Sequence, residues 1–368
     1  TSNLPDVAVI PSEHFNTITY SGNSTNRTLT GVGFTPSFTW IKSRSNATNG
    51  SDHFLFDAVR GVNAFKGLCS NGTSVEGETA AGSAQENFGD ISAFTSDGYS
   101  VYRSTADSSH QYEGVNNNSE TYVAWNWKAN GSGSSNTNGS TNSTVSANTD
   151  AGFSIVSYTG SSGPDTIGHG LSKAPEMIIV KDRSSAQEWL VYHHSLTDAK
   201  DKYLRLDTTS AVADNTFWND TAPTNQVFSV GDSQPVNSGH GDSYIAYCFH
   251  SVDGYSKVGT YIGNNNDDGT FVYTGFRPKW IMVKSSSVGG NHYDWAIYDT
   301  ARSSYNAVGN VLEANQSQAE VTGTGRGLPI DIVSNGFKHR SGYAENNSDK
   351  TYIYLAFAET PFKYSNAR

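Results

Sequence analysis

Phe276-Arg277-Pro278-Lys279-Trp280-Ile281-Met282-Val283-Lys284 is the stretch on which the fold reading turns: an apolar residue, a proline, a short apolar run and a lysine. The same plan occurs at Phe34-Thr35-Pro36 leading to Trp40-Ile41-Lys42, and at Ala174-Pro175 leading to Ile178-Ile179-Val180-Lys181. Short apolar runs such as 178–180 and 281–283 suit inner strands buried on both sides.

Two further signatures flank each copy. Upstream lies a strand ending in Tyr-x-Gly: Phe15 to Tyr20-Ser21-Gly22, Phe153 to Tyr158-Thr159-Gly160, and Tyr255 to Tyr261-Ile262-Gly263. Downstream lies a closing strand: Tyr122-Val123-Ala124-Trp125-Asn126-Trp127, Tyr244-Ile245-Ala246-Tyr247-Cys248-Phe249 and Tyr352-Ile353-Tyr354-Leu355-Ala356-Phe357. Three signatures recurring in one order point to three tandem copies of a single plan. Short strands alternate with turn clusters such as Ser96-Asp97-Gly98 and Ser334-Asn335-Gly336. That pattern predicts an all-β chain of three antiparallel β-sandwich domains, jelly-roll or concanavalin-like and of related topology.

Lys42 and Lys181 stand 139 positions apart, Lys181 and Lys284 only 103. Most of the surplus is Ala129 to Asp150, a run of Gly, Ser, Asn and Thr that reads as a flexible tether. The domains expected are therefore 1–130, 151–253 and 254–368, with a linker at 131–150. Copies two and three meet at Asp253-Gly254 without a tether, which predicts a rigid pair. One short helix is expected near Ser195 to Lys202.

Composition agrees. Of 368 residues 35% are hydrophobic and 16% charged, with 36 Gly, 20 Tyr and 17 Phe, a mixture of turn and strand formers. A net charge of −11 with scattered Lys and Arg repels phosphate backbones, so a basic nucleic-acid surface is not expected. No apolar stretch has the length needed to cross a bilayer, and Thr1 to Pro11 lacks the pattern of a signal peptide. Cys69 and Cys248, in different domains, read as reduced core thiols. Asn-x-Ser/Thr triplets, from Asn23 and Asn49 through Asn346, read as the chance product of this composition rather than as glycosylation sites.

Longer runs carry a family resemblance. They include Ser12-Glu13-His14-Phe15-Asn16-Thr17, Phe56-Asp57-Ala58-Val59-Arg60-Gly61, Gly168-His169-Gly170-Leu171-Ser172-Lys173-Ala174-Pro175, and Pro361-Phe362-Lys363-Tyr364-Ser365-Asn366-Ala367-Arg368. Over nearly its whole length the chain resembles tail-fibre-like and other virion surface structural proteins of tailed bacteriophages, many of them marine. The resemblance implies a non-enzymatic protein of the virion surface, made in the bacterial host cytoplasm. It further implies other virion proteins as partners, a homo-oligomer with a trimer favoured, and a host-surface glycan or protein as a further partner. Two functions stay open: a tail fibre or spike adhesin contributing to host attachment, or an architectural capsid decoration, capsid fibre or tail component.

No cofactor, metal or catalytic residue is expected, and the ligand-binding residues stay unassigned. Asp57 and Arg60 recur as Asp299 and Arg302, with His193 or His194 at the Asp position of copy two. Without a nucleophile or second carboxylate nearby, these pairs read as strand-end ion pairs that order the following turn. Asn264-x-Asn266-x-Asp268-Gly269 imitates half of a calcium loop, but Gly275 stands where a bidentate Glu belongs, so a polar hairpin turn is expected. His169, His193, His194 and His240 lack metal-ligand spacing. Trp189, Tyr192, Trp218, Tyr293 and Tyr305 lie beside polar turns, where aromatics can stack on sugars but more often pack a core.

Overall fold

The computed structural model describes residues 9–46, 51–85, 88–102, 114–321 and 329–361. Asn49, the first eight residues and the terminal run from Phe362 to Arg368 lie outside them. The fold is all-β, and no α-helix occurs among the described residues.

Three antiparallel sheets share one strand order. In the first, Phe15–Ser21 pairs with Thr121–Trp127, followed by Phe38–Ser43, Phe54–Asp57 and Leu68–Cys69. In the second, Phe153–Thr159 pairs with Ser243–Phe249, followed by Met177–Asp182, Leu190–His193 and Lys202–Arg205. The third runs Ser256–Ile262, Thr351–Pro361, Phe276–Ser285, Ala296–Asp299 and Leu312–Glu313. A smaller antiparallel sheet accompanies each: Arg27–Thr30 with Gly98–Tyr102 and Asp90–Thr95, then Asp165–Gly168 with Val227–Val230, then Phe271–Tyr273 with Gly336–His339 and Ile330–Val333.

Register fixes which residues face which way. Trp40 stands opposite Trp125, Ile179 opposite Tyr247, and Met282 opposite Leu355. Side chains alternate across a strand, so Ile41, Val180 and Val283 enter three separate local cores. The opposite face carries Phe38 and Trp40, Met177 and Ile179, Trp280 and Met282. All six join one core shared by the three sandwiches, together with Phe15, Trp127, Phe249 and Phe357. Every pair of sandwiches is in contact there. Phe38 stacks on Tyr247 at 4.5 Å, Trp127 meets Trp280 edge-on at 5.7 Å, and Phe249 meets Phe357 at 6.1 Å. Burying each such side chain is worth roughly 1.5–3 kcal/mol, so the shared core is a main term in holding the three together.

Several expectations are revised. Residues 131–150 are not a bare tether: Ser134–Asn136 and Ser143–Asn148 are strands, and the latter pairs with Phe153–Thr159 along its whole length. The second large sheet thereby gains two strands at one edge and, with Ala213–Asp214 pairing at the other, reaches eight. The reason is local. Val145 alternates with Ser and Thr, and its side chain is buried against Tyr158 and Ile167 in the second local core. The first sandwich is accordingly not a separate body beside a rigid pair, because Phe15, Phe38 and Trp127 are packed into the core it shares with the others. The segment Ser195 to Lys202 holds turns and no helix. Its backbone bonds reach back three residues, Leu196 to His193 and Asp201 to Asp198, and Asp198 takes a left-handed φ of 55°. Cys69 and Cys248 are buried free thiols.

Candidate functional site

The chemistry-bearing side chains converge on the three junctions between sandwiches, which follow one geometric rule. Lys42 Nζ donates to Ser43 O at 2.7 Å and across to Ser317 O in the third sandwich at 3.1 Å. Lys181 donates to Asp182 O and across to Thr73 O in the first; Lys284 donates to Ser285 O and across to Thr209 O in the second. First reaches third, third reaches second, second reaches first, and the ring closes. Burial pulls Lys42 and Lys284 down to about 7 and Lys181 to about 8, against the upward pull of nearby carboxylates such as Asp52 and Glu120 for Lys42. One main-chain bond marks each junction three positions further on: Glu320 N to Arg44 O, Glu76 N to Arg183 O, Val212 N to Ser286 O.

The repeated Asp-x-x-Arg pairs belong to these junctions. Asp57 accepts from the Arg60 side chain, from the backbone N–H of Val59 and Arg60, and across the junction from Tyr247 Oη at 2.8 Å. Asp299 likewise holds Arg302 at 2.6 Å and accepts from Trp125 Nε1 across its junction at 2.9 Å. Both pairs are buried, and each arginine continues into a bridge. Arg60 and Arg183 share Glu76, while Arg302 and Arg44 share Glu320. Burial opposes charge on Arg60, but Asp57 and Glu76 outweigh it and hold the guanidinium protonated.

The junction between the second and third sandwiches departs from this pattern. His193 takes the Asp position, opposite Met177 as Asp57 is opposite Phe38, and burial pushes it down to about 3. Val212 stands where the others have Glu76 and Glu320, and Ser286 where they have Arg183 and Arg44. Among the described residues no charged bridge closes this seam. A half-open cavity of about 180 Å³ lies here, lined by residues that include Ser195, Thr197, Lys202, Val212, Ser286 and Thr351. The shared core, by contrast, leaves a void of only about 10 Å³.

The family model described as a domain of unknown function, DUF7483, matches residues 10–361. The chain belongs to this family. The DUF7483 match runs through all three sandwiches and the strands between the first two, the same extent that the shared core and the ring of junctions tie together. No curated protein matches the chain.

The remaining sequence candidates fall into place around this DUF7483 body. His169 is buried and donates from Nε2 to Thr224 O while Nδ1 accepts from Leu171 N, and burial pushes it down to about 4. His194 and His240 are exposed, and neither stands in a cluster that could hold a metal among the described residues. In the Asn264 to Gly269 loop the side-chain oxygens are engaged by the protein's own donors. Asn264 Oδ1 accepts from Asn266 N and Asn346 Nδ2, Asn266 Oδ1 accepts from Asp268 N, and Asp268 pairs with Lys338. Trp189, Tyr192 and Trp218 are core residues, Trp189 donating to Cys69 O across a junction and Trp218 to Lys202 O. Tyr293 is half-buried against Asn347, and Tyr305 is 87% exposed.

The sequence marks the junction lysines only as the closing residue of a repeated motif, and it gives no sign of the Glu76 and Glu320 bridges. The signal was present for the lysines, since each closes an apolar run buried on both sides, where a lysine amine must find an internal acceptor.

Proposed function

We propose that this protein is a virion surface structural protein of a tailed phage, a tail fibre or spike-type adhesin that contributes to host attachment and has no catalytic turnover. The observation that carries the reading is the use to which its charged motifs are put. Asp57, Arg60, Asp299 and Arg302 are buried and fully engaged in joining sandwiches, so the groups that most resemble catalytic machinery are mechanical ties. The sequence resemblance to phage virion surface proteins supports the same conclusion. We infer also that the three sandwiches are tandem copies of one unit, closed into a ring within a single chain.

A purely architectural role, binding only other virion proteins, is favoured by one feature. Ile262 and the edge strand Phe271–Tyr273 place three exposed apolar side chains on the rim of the third sandwich. Exposed edges of this kind recruit partner strands, and this rim is our proposed contact for neighbouring virion proteins or for a cyclic homo-oligomer, a trimer favoured. Labelling the protein on intact particles and imaging them by electron microscopy tests both readings. Label on tail appendages is expected; label spread over the capsid would favour decoration, and no label on particles would refute the virion role. Incubation with host-envelope polysaccharide should release no reducing ends, and release abolished by Asp57→Asn or Asp299→Asn would overturn the non-enzymatic part.

A further inference from the structure

We propose that the unbridged seam between the second and third sandwiches is a saccharide-binding site that takes one sugar ring of a larger glycan, an inference that rests on the adhesin reading and gives it a location. At the other two seams a glutamate from one sandwich and an arginine from the next form a bridge at 2.7–2.8 Å. Here Val212 and Ser286 occupy those positions, both far shorter, and the volume given up is the cavity of about 180 Å³. That space is smaller than the clefts of about 300–1,000 Å³ that take drug-sized ligands. One ring fits; an oligosaccharide would have to extend out of the mouth, where Thr197 is exposed.

The lining selects the chemistry. Ser195, Thr197, Ser286 and Thr351 bring hydroxyls, groups that both donate and accept. Ser286 spends its proton on Thr351 O at 3.2 Å and keeps its lone pairs for a donor, while Ser195 Oγ shares a bond with His194 Nε2. The cation at the site, Lys202, is already paired with Asp214, so the cavity does not present the unbalanced charge an anion needs. Val212 supplies an apolar wall against which the C–H face of a ring can rest. Paired hydroxyl donors and acceptors beside a small apolar wall match a neutral polyol better than an anion or an apolar ligand.

The test closes the seam as its neighbours are closed. The full chain and the double variant Val212→Glu/Ser286→Arg are compared by saturation-transfer NMR against free hexoses, deoxyhexoses and N-acetylhexosamines at millimolar concentration, and by pull-down with host-envelope polysaccharide. The melting temperature of the variant serves as the folding control. Thr197→Val, on the exposed mouth, gives a second variant should the first not fold. Wild-type protein is expected to bind at least one monosaccharide, with at least tenfold weaker binding in the double variant and measurable weakening in Thr197→Val. Equal monosaccharide binding by wild type and variants would overturn the site. If the polysaccharide is still captured in that case, the adhesin reading survives with its site elsewhere. A wild type that binds monosaccharide through the seam but captures no polysaccharide would leave the site standing and refute the adhesin reading. Binding of neither refutes both.

Discussion

Asp57 and Asp299 each satisfy three kinds of donor at once: the guanidinium three residues on, the turn N–H groups, and an aromatic N–H or O–H from the next sandwich. The i to i+3 spacing of Asp and Arg was legible in the sequence, and so was the reading as a structural pair. The third participant was not, because Tyr247 and Trp125 lie far along the chain and appear there as ordinary members of apolar strands. Removing one partner of a buried ion pair strands the other charge in a medium that cannot solvate it, at a cost of about 3–5 kcal/mol. Asp57→Ala and Asp299→Ala should each lower stability by that amount in chemical denaturation. Tyr247→Phe, which removes only a neutral donor to the carboxylate, should cost about 1.5–3 kcal/mol. Losses below about 1 kcal/mol for the aspartate variants would show that the arginines find other partners or water.

Among the elements, the central strands were the most legible, because apolar residues on both faces announce burial on both sides. What that pattern does not reveal is that the second face meets two other sandwiches rather than one partner sheet. The segment 131–150 was the least legible. Its Gly, Ser and Asn content speaks for turns, and its one buried apolar side chain, Val145, secures it to the second sandwich with help from the buried Ser143 hydroxyl, which donates to Gly168 O. A strand whose register depends on alternation across one buried face is lost when that face is made polar. Limited proteolysis of the wild type should therefore spare 143–148, and Val145→Asp should make the segment the first site of cleavage. Mass spectrometry of the earliest fragments checks this; early cutting of the wild type within Ser143–Asn148 would show that the pairing with Phe153–Thr159 does not protect it.

At the scale of the whole molecule, the shared core and the ring of lysines make the three sandwiches one thermodynamic body. Ile179→Ala, in the second sandwich but inside the shared core, should cost about 2–5 kcal/mol and shift a single calorimetric transition, whereas a second sandwich melting ahead of the others would refute the coupling. The lysines add a dependence on pH whose sign is fixed. Their folded values of about 7, 8 and 7 lie below the ordinary 10.5, so above pH 7 the unfolded chain binds protons that the folded chain has released. Stability rises with pH wherever the unfolded state holds more protons, by about 1.4 kcal/mol per unit for each fully differing group. The penalty for charging these amines is thus complete below about pH 7 and fades as pH climbs toward the unfolded value. His53, His169, His193 and His339, all lowered by burial, act in the same direction below about 6.5, because only the unfolded chain protonates them there. Opposing groups act at both ends: Asp90, raised by burial to about 6, favours unfolding as pH climbs toward 6, where the more numerous histidines outweigh it. Burial raises Cys69 and Cys248, and raises buried tyrosines such as Tyr247 and Tyr298, so these favour unfolding once their free forms ionise above about 8.5 and 10. Denaturation midpoints should therefore climb from pH 5.5 through about 8.5 and then level or fall. Lys42→Met and Lys284→Met should flatten the climb above pH 7 while leaving the histidine part below 6.5 in place. A wild-type midpoint that is level or falling between pH 7 and about 8.5 would mean that the junction amines keep their protons in the fold, and that the carbonyls around them, Ser317 O, Thr73 O and Thr209 O, hold ammonium groups rather than neutral amines.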